Sequence, residues 1–384
     1  MINRSQDFVR QMPDSAHHFG RPTGVWRALH IDPILLVLLL AITVIGVLVL
    51  YSGSGQSVST IKRQLFFFGV GYFAMLVVAQ VPTQFLRHYA FWFYLFGVAV
   101  LLLVPFIGVG AKGAQRWISL GFIRFQPSEI LKLALPIAIS SYFATRVLPP
   151  RLKHIFAGLI VVFIPTLLIL KQPDLGTAIL IFVSGIIVLF LAGLPWRFII
   201  ACLLLLIASG WPMWNFVMED YQKQRVLTLL DPEADKLGAG WNIIQSKTAI
   251  GSGGMYGNGW LQGSQSQLDF LPESHTDFII AVLAEEFGFV GVVILLALYT
   301  LVIGRGLYVS VTANTTFDRL LGGSITLTFF CYVFVNIGMV TGLLPVVGVP
   351  LPLVSLGGTS IVTLMTSFGL LMAIATQKDV NRPY

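Results

Sequence analysis

The 384-residue chain is 56% hydrophobic and only 11% charged, with a mean hydropathy of +0.84. Soluble globular domains carry about a quarter charged residues, so this composition excludes a water-soluble fold and assigns the chain to a bilayer. The net charge of +7 comes without a basic cluster or a nucleic-acid-binding module, so it reads as topology and contact with membrane lipids, with no nucleic acid as partner.

Residues 1–30 are polar and carry four arginines, and no cleavage site of small residues follows them. The first apolar run is therefore expected to be a retained signal-anchor. Ten runs approach the roughly 20 residues that cross about 30 Å of hydrocarbon. They lie at 31–51, 65–81, 90–110, 130–147, 155–170, 177–195, 198–217, 278–303, 320–344 and 355–376. The fifth is short and contains Pro165, a break that neighbouring helices or water can satisfy. The expected fold is all-α: a polytopic membrane protein with about ten transmembrane helices. They form one domain over 31–376, with a large extracytoplasmic loop at 218–277 and tails at 1–30 and 377–384. With the N-terminus in the cytoplasm, inside segments hold thirteen Lys and Arg against six in the short outside loops. The positive-inside rule then places both tails in the cytoplasm. Cys202 and Cys331 sit in apolar runs and read as small buried hydrophobes.

In this apolar background the polar features stand out. Trp241 to Trp260 is a polar, glycine-rich stretch that leads on to Asp277 at the mouth of the eighth span. A carboxylate there is costly to desolvate and marks a candidate site. Helix capping by Thr276 or Asp277 explains it equally well, and a capped, ionised carboxylate still serves as a base. Glu285 and Glu286 lie two turns deeper and diverge by about 100°, so only one is expected to share the face of Asp277. Both are read as packing against backbone or a basic neighbour. Glu129 and Lys132, three apart at the start of the fourth span, share a helix face and predict an ion pair beside a water-accessible cavity. Arg116 and Lys112 in the preceding loop, with Lys171 after the fifth span, are candidate partners for a phosphorylated ligand. No Gly-x-x-x-x-Gly-Lys-Ser/Thr loop, metal-ligand cluster or Asp-x-Asp pair is present, which argues against an ATP-driven pump or a nucleotide-sugar enzyme.

Five motifs then fall in register: Gln126-Pro-Ser-Glu129, Gln172-Pro-Asp-Leu-Gly-Thr177, Ala249-Ile-Gly-Ser-Gly-Gly254, Leu271-Pro-Glu-Ser-His-Thr-Asp-Phe278 and Leu344-Pro-Val-Val-Gly-Val-Pro-Leu-Pro-Leu353. Together they resemble the SEDS family (shape, elongation, division and sporulation). Gln245-Ser-Lys247 and the Gln126 motif resemble its rod-shape branch more than its division branch. The resemblance implies a peptidoglycan glycosyltransferase that polymerises lipid II outside the inner membrane, with a class B penicillin-binding protein as partner. It maps the family's essential aspartate onto Asp277 and its functional glutamate and lysine onto Glu129 and Lys132. Two positions depart from the pattern: Asn258 stands where a Lys is expected between glycines, and Leu356 where an aromatic is usual.

The implied chemistry suits these residues. A lipid-linked pyrophosphate leaves readily, so one base and several cations suffice, without the paired carboxylates of hydrolases. The resemblance implies a single inverting displacement, with Asp277 as candidate base and Arg116, Lys132 and Lys112 as candidate pyrophosphate partners. No cofactor is implied, and participation of a divalent cation stays open. A lipid II flippase is the rival reading, since transporters also use broken helices and charges at cavity mouths. A membrane scaffold is a third, but it leaves the glycine-rich stretch and Asp277 idle.

Overall fold

The computed structural model describes residues 29–111, 114–119, 124–235, 239–267 and 273–376. Helix starts are set by local chemistry. α1 (Pro33–Gly53) opens on Asp32, whose Oδ1 accepts from the amides of Ile34 and Leu35 at 3.1 and 3.2 Å. Pro33 occupies the first turn, where its missing N–H costs nothing. The other oxygen of Asp32 takes Arg305, far along the chain, at 2.7 Å. Ser57 caps α2 (Val58–Ala79), and Pro82 precedes α3 (Thr83–Ile107). A small antiparallel sheet follows, β1 (Val109–Ala111), β2 (Ala114–Ser119) and β3 (Arg124–Phe125), ordered β1-β2-β3. It delivers the chain to α4 (Ser128–Ala144) through Pro127.

α5 (Leu152–Leu170) continues through Pro165 without a break. α6 (Leu175–Leu191) is capped by Asp174, and α7 (Trp196–Pro212) passes into one π turn at Met213–Val217. After the intervening segment come α10 (Ile279–Val311), α11 (Thr316–Val340) and α12 (Thr359–Thr376). Ten helices thus occupy the ten expected runs. Seven are long and apolar enough to cross a membrane, and α6 is apolar but shorter. α4 and α7, at 17 residues each, fall short of that length. α4 begins with charges, while the π turn extends α7 by five residues. The chain is a multi-pass membrane protein.

The segment expected as one large loop is largely helical. It contains α8 (Asp220–Leu230), a 3-10 turn at Pro232–Asp235, α9 (Ala239–Ser252) and a single turn at Ser264–Gln267. Apolar residues explain the difference: Ile243 and Ala249 bury against the bundle, and the Ser246 hydroxyl donates to the carbonyl of Val340 at 2.9 Å. The glycines drew attention to a loop, but the preceding turns pack as helix.

Two hydrophobic cores hold the bundle. The first joins α1, α2, α10, α11 and α12 with Leu86 and Ala90 of α3, and the second joins α3 to α6 with Leu320 of α11. α4 feeds both, with Ile137 in the first and Leu131, Leu135, Ile139 and Phe143 in the second. Outside the cores, Phe73, Phe91, Trp92, Phe106 and Leu205 are exposed. An apolar surface of that extent fits hydrocarbon rather than water.

Candidate active site

α4 brings Glu129 and Lys132 to one face, and the expected ion pair is present at 2.6 Å. It lines a small cavity of about 70 Å³, walled by α4, α11, α12 and the Pro350–Gly357 segment. Lys132 also lies 5.5 Å from the ring centroid of Tyr332 on α11. Glu129 is 3% exposed, yet its Oε2 has no hydrogen-bond partner. The Thr328 hydroxyl, one turn before Tyr332, is buried and unpartnered too. Buried polar atoms are nearly always bonded, so such atoms on a cavity wall point to a ligand or water. Glu129 borders a second, strongly apolar groove between α2, α3, α4 and α12, which includes Phe85, Phe93, Leu133 and Leu370.

Asp277 is half-buried and does not line that cavity. Its turn, Glu273–Phe278, is tied down residue by residue. Ser274 donates to the carbonyl of Gly53 at 2.8 Å, and the amide of Leu356 donates to the carbonyl of His275 at 2.9 Å. Ser355, itself a cavity residue, donates to the carbonyl of Thr276 at 2.6 Å. The Asn336 amide donates to the carbonyl of Asp277 at 2.9 Å and to that of Val349 at 2.7 Å. Opposite, Gly348 adopts φ +75°, and a Cβ there would lie 3.6 Å from Asp277 Oδ2. The capping explanation for this turn is not what is seen at Thr276, whose hydroxyl donates to Glu273. Phe278 holds the cap position without a side-chain bond.

The other candidate cations are dispersed. Arg116 on β2 donates from Nε to the carbonyl of Gln172 at 3.1 Å and from a terminal nitrogen to that of Pro173. It also lies 3.9 Å from Asp174, which accepts from Gln126 at 2.9 Å. Arg116 therefore braces the Gln172–Asp174 turn near the cavity, and guanidinium donors remain beyond these bonds. Lys171 is exposed at the end of α5, and Lys112 lies outside the described residues. Glu285 and Glu286 both meet backbone, as expected. Glu285 accepts from the amide of Gln265 at 2.7 Å, and Glu286 from that of Leu261 at 3.2 Å and from the Ser52 hydroxyl. The chain that follows the glycine-rich stretch wraps across both carboxylates.

A family profile described as Cell cycle protein, FtsW/RodA/SpoVE, matches residues 32–380. The chain belongs to the SEDS family. Peptidoglycan glycosyltransferase MrdB of Escherichia coli (strain K12) is 52% identical over 355 residues, covering 92% of this chain and 96% of the relative. Probable peptidoglycan glycosyltransferase FtsW of Trichlorobacter lovleyi is 36% identical, covering 91% and 94%. Among solved structures, one described as the structural coordination of polymerization and crosslinking by a peptidoglycan synthase complex superposes with a TM-score of 0.81 at 30% identity. It covers 91% of this chain and 99% of that one. Rod shape determining protein RodA of Thermus thermophilus superposes with a TM-score of 0.69 at 28% identity, covering 91% and 97%.

Within this SEDS protein, three site residues escaped sequence reasoning. Thr328, Tyr332 and Asn336 recur every four residues along α11, a polar stripe in an apolar helix. Lys247 was quoted as part of a motif but not as a site residue. Its ammonium lies 2.8 Å from the position a Cβ on Gly342 would take, just past the end of α11.

Proposed function

We propose that this SEDS-family chain polymerises lipid II into glycan strands during cell elongation by one inverting displacement, with Asp277 as general base. The chain is a peptidoglycan glycosyltransferase, the activity by which its relatives at 52% and 36% identity are named. The acceptor sugar hydroxyl attacks the anomeric carbon of the donor and its proton passes to Asp277. The bond from that carbon to undecaprenyl pyrophosphate breaks, and the electron pair leaves with the pyrophosphate. Lys132, oriented by Glu129 and Tyr332, neutralises the departing charge. Arg116, Lys112 and Lys171 are further cations for it; a divalent cation, if one took part, would be held at Glu129 and would supply further charge neutralisation.

The observation that carries the reading is the double role of Glu129. It borders both a cavity holding a partly buried cation and an apolar groove. That pairing suits an amphiphile with an anionic head and a long hydrocarbon tail. In the proposed topology a single ten-span domain covers 31–376, both termini are cytoplasmic, and 218–277 with Asp277 lies outside. A class B penicillin-binding protein is the partner, in keeping with the solved synthase complex. The test is polymerisation of purified lipid II by the purified chain, with and without that partner. Strands of many disaccharides are expected. Transfer of lipid II across vesicles with no polymer formed would overturn the reading in favour of the flippase.

A further inference from the structure

The Asp277 turn sits beside the cavity rather than in it, so something must set the distance between this carboxylate and Lys132. One side chain is built for that task. Asn336 is fully buried on α11, and both of its amide bonds go to main-chain carbonyls on the far sides of two different segments. One is the carbonyl of Asp277 itself, at 2.9 Å; the other is that of Val349, at 2.7 Å, next to Gly348, which faces the Asp277 carboxylate. The Asn336 Oδ1 is buried and has no partner. A buried amide with an orphan oxygen is destabilising, and an apolar residue of the same shape would avoid that cost if packing were all that mattered. What the position needs is therefore the pair of N–H donors. One turn earlier on the same face, the Tyr332 ring lies 5.5 Å from the Lys132 ammonium.

We propose that Asn336 is a positioning residue for glycosyl transfer. Its amide clamps the main chain of Asp277 to the Leu344–Gly358 segment, so that α11 holds base and cation at a fixed separation through Asn336 and Tyr332. This rests on Asp277 being the base. The clamp acts on placement and not on substrate contact, so losing it lowers turnover while leaving substrate binding alone.

Three variants of the full-length chain test it. Asn336→Leu keeps the branched shape and removes both donors. Asn336→Asp places a carboxylate against two carbonyl oxygens. Asn336→Ser is small enough to admit a water to those carbonyls, and serves if the larger changes prevent folding. With purified lipid II, kcat is expected to fall at least 10-fold in the leucine and serine variants, with KM within about 2-fold, and further in the aspartate variant. Hydrogen exchange is expected to rise at 273–278 and 348–349 and to stay unchanged in α5 and α6. Combined with Asp277→Asn, the serine change should add no further loss to residual activity, because both act on one group. Wild-type kcat in the serine and leucine variants, or losses that multiply with Asp277→Asn, overturns the positioning role. Polymerisation retained by Asp277→Asn alone sinks the base assignment instead, whatever the Asn336 variants do.

Discussion

Asp277→Asn keeps the size of the side chain and one carbonyl oxygen but removes the base. Folded, membrane-inserted protein is expected, with polymerisation of purified lipid II down at least ~100-fold. Near-normal strand synthesis by this variant would leave Asp277 with a purely structural part in the Glu273–Phe278 turn. Glu129 and Lys132 separate packing from chemistry more sharply. Glu129 is buried and Lys132 is 15% exposed at its side chain, so removing the lysine strands a buried carboxylate and is expected to cost about 3 kcal/mol, and removing the glutamate less. Glu129→Gln with Lys132→Gln should restore the melting temperature while polymerisation stays low, since the cavity has lost its cation. Full activity in that double variant makes Lys132 structural only. The ion pair was legible in the sequence because helical periodicity alone brings residues three apart together. Tyr332 and Asn336 were not legible as partners. Their four-residue spacing says that they share a face, but their partners Lys132 and Asp277 come from other parts of the chain.

At the level of elements, the glycine-rich stretch is a wrap around α10. Asn258 and Gly259 donate to the carbonyls of Glu285 and Glu286, and Phe289 and Val290 donate back to Gly254 and Met255. The approach is possible only because side chains are missing. A Cβ on Gly257, which adopts φ +81°, would lie 2.1 Å from the carbonyl oxygen of Glu286. Gly288, at φ +66°, opens α10 at the same point. Gly257→Ala is therefore expected to cost about 2 kcal/mol or more. Gly251→Ala, with nothing within 4 Å of the added carbon, should change stability by no more than about 0.5 kcal/mol. Thermal unfolding of the two variants checks the contrast, and equal melting temperatures would mean the wrap is loose. The sequence announced the close approach through its glycines, yet not its target. The same glycines hid α9, whose buried Ile243 and Ala249 are spaced for a helix but sparse.

Over the whole molecule, the ten apolar runs became helices, and seven of these are long and apolar enough to cross a membrane, where every backbone group must be bonded within its own segment. Their lengths were harder to foresee: α10 extends eight residues past the expected end at 303, where polarity alone had suggested a stop. Orientation is open to direct measurement. Tyr256, 83% exposed at the tip of the glycine turn, is replaced by cysteine in a chain whose Cys202 and Cys331 have been removed. The new thiol should react with a membrane-impermeant reagent in cells with only the outer barrier permeabilised. Reaction only after the inner membrane is broken inverts the topology and puts Asp277 on the wrong side for glycan assembly.

The division of α4 between two cores has a consequence for how such a chain evolves. This 17-residue helix bridges the two cores together with α3, and it also carries the charged pair. Changes that tighten its seating raise heat tolerance and stiffen the cavity wall in the same stroke. Gains in robustness that leave turnover intact are thus to be found in α1, α5 or α6, and a lineage under pressure for both will vary there first.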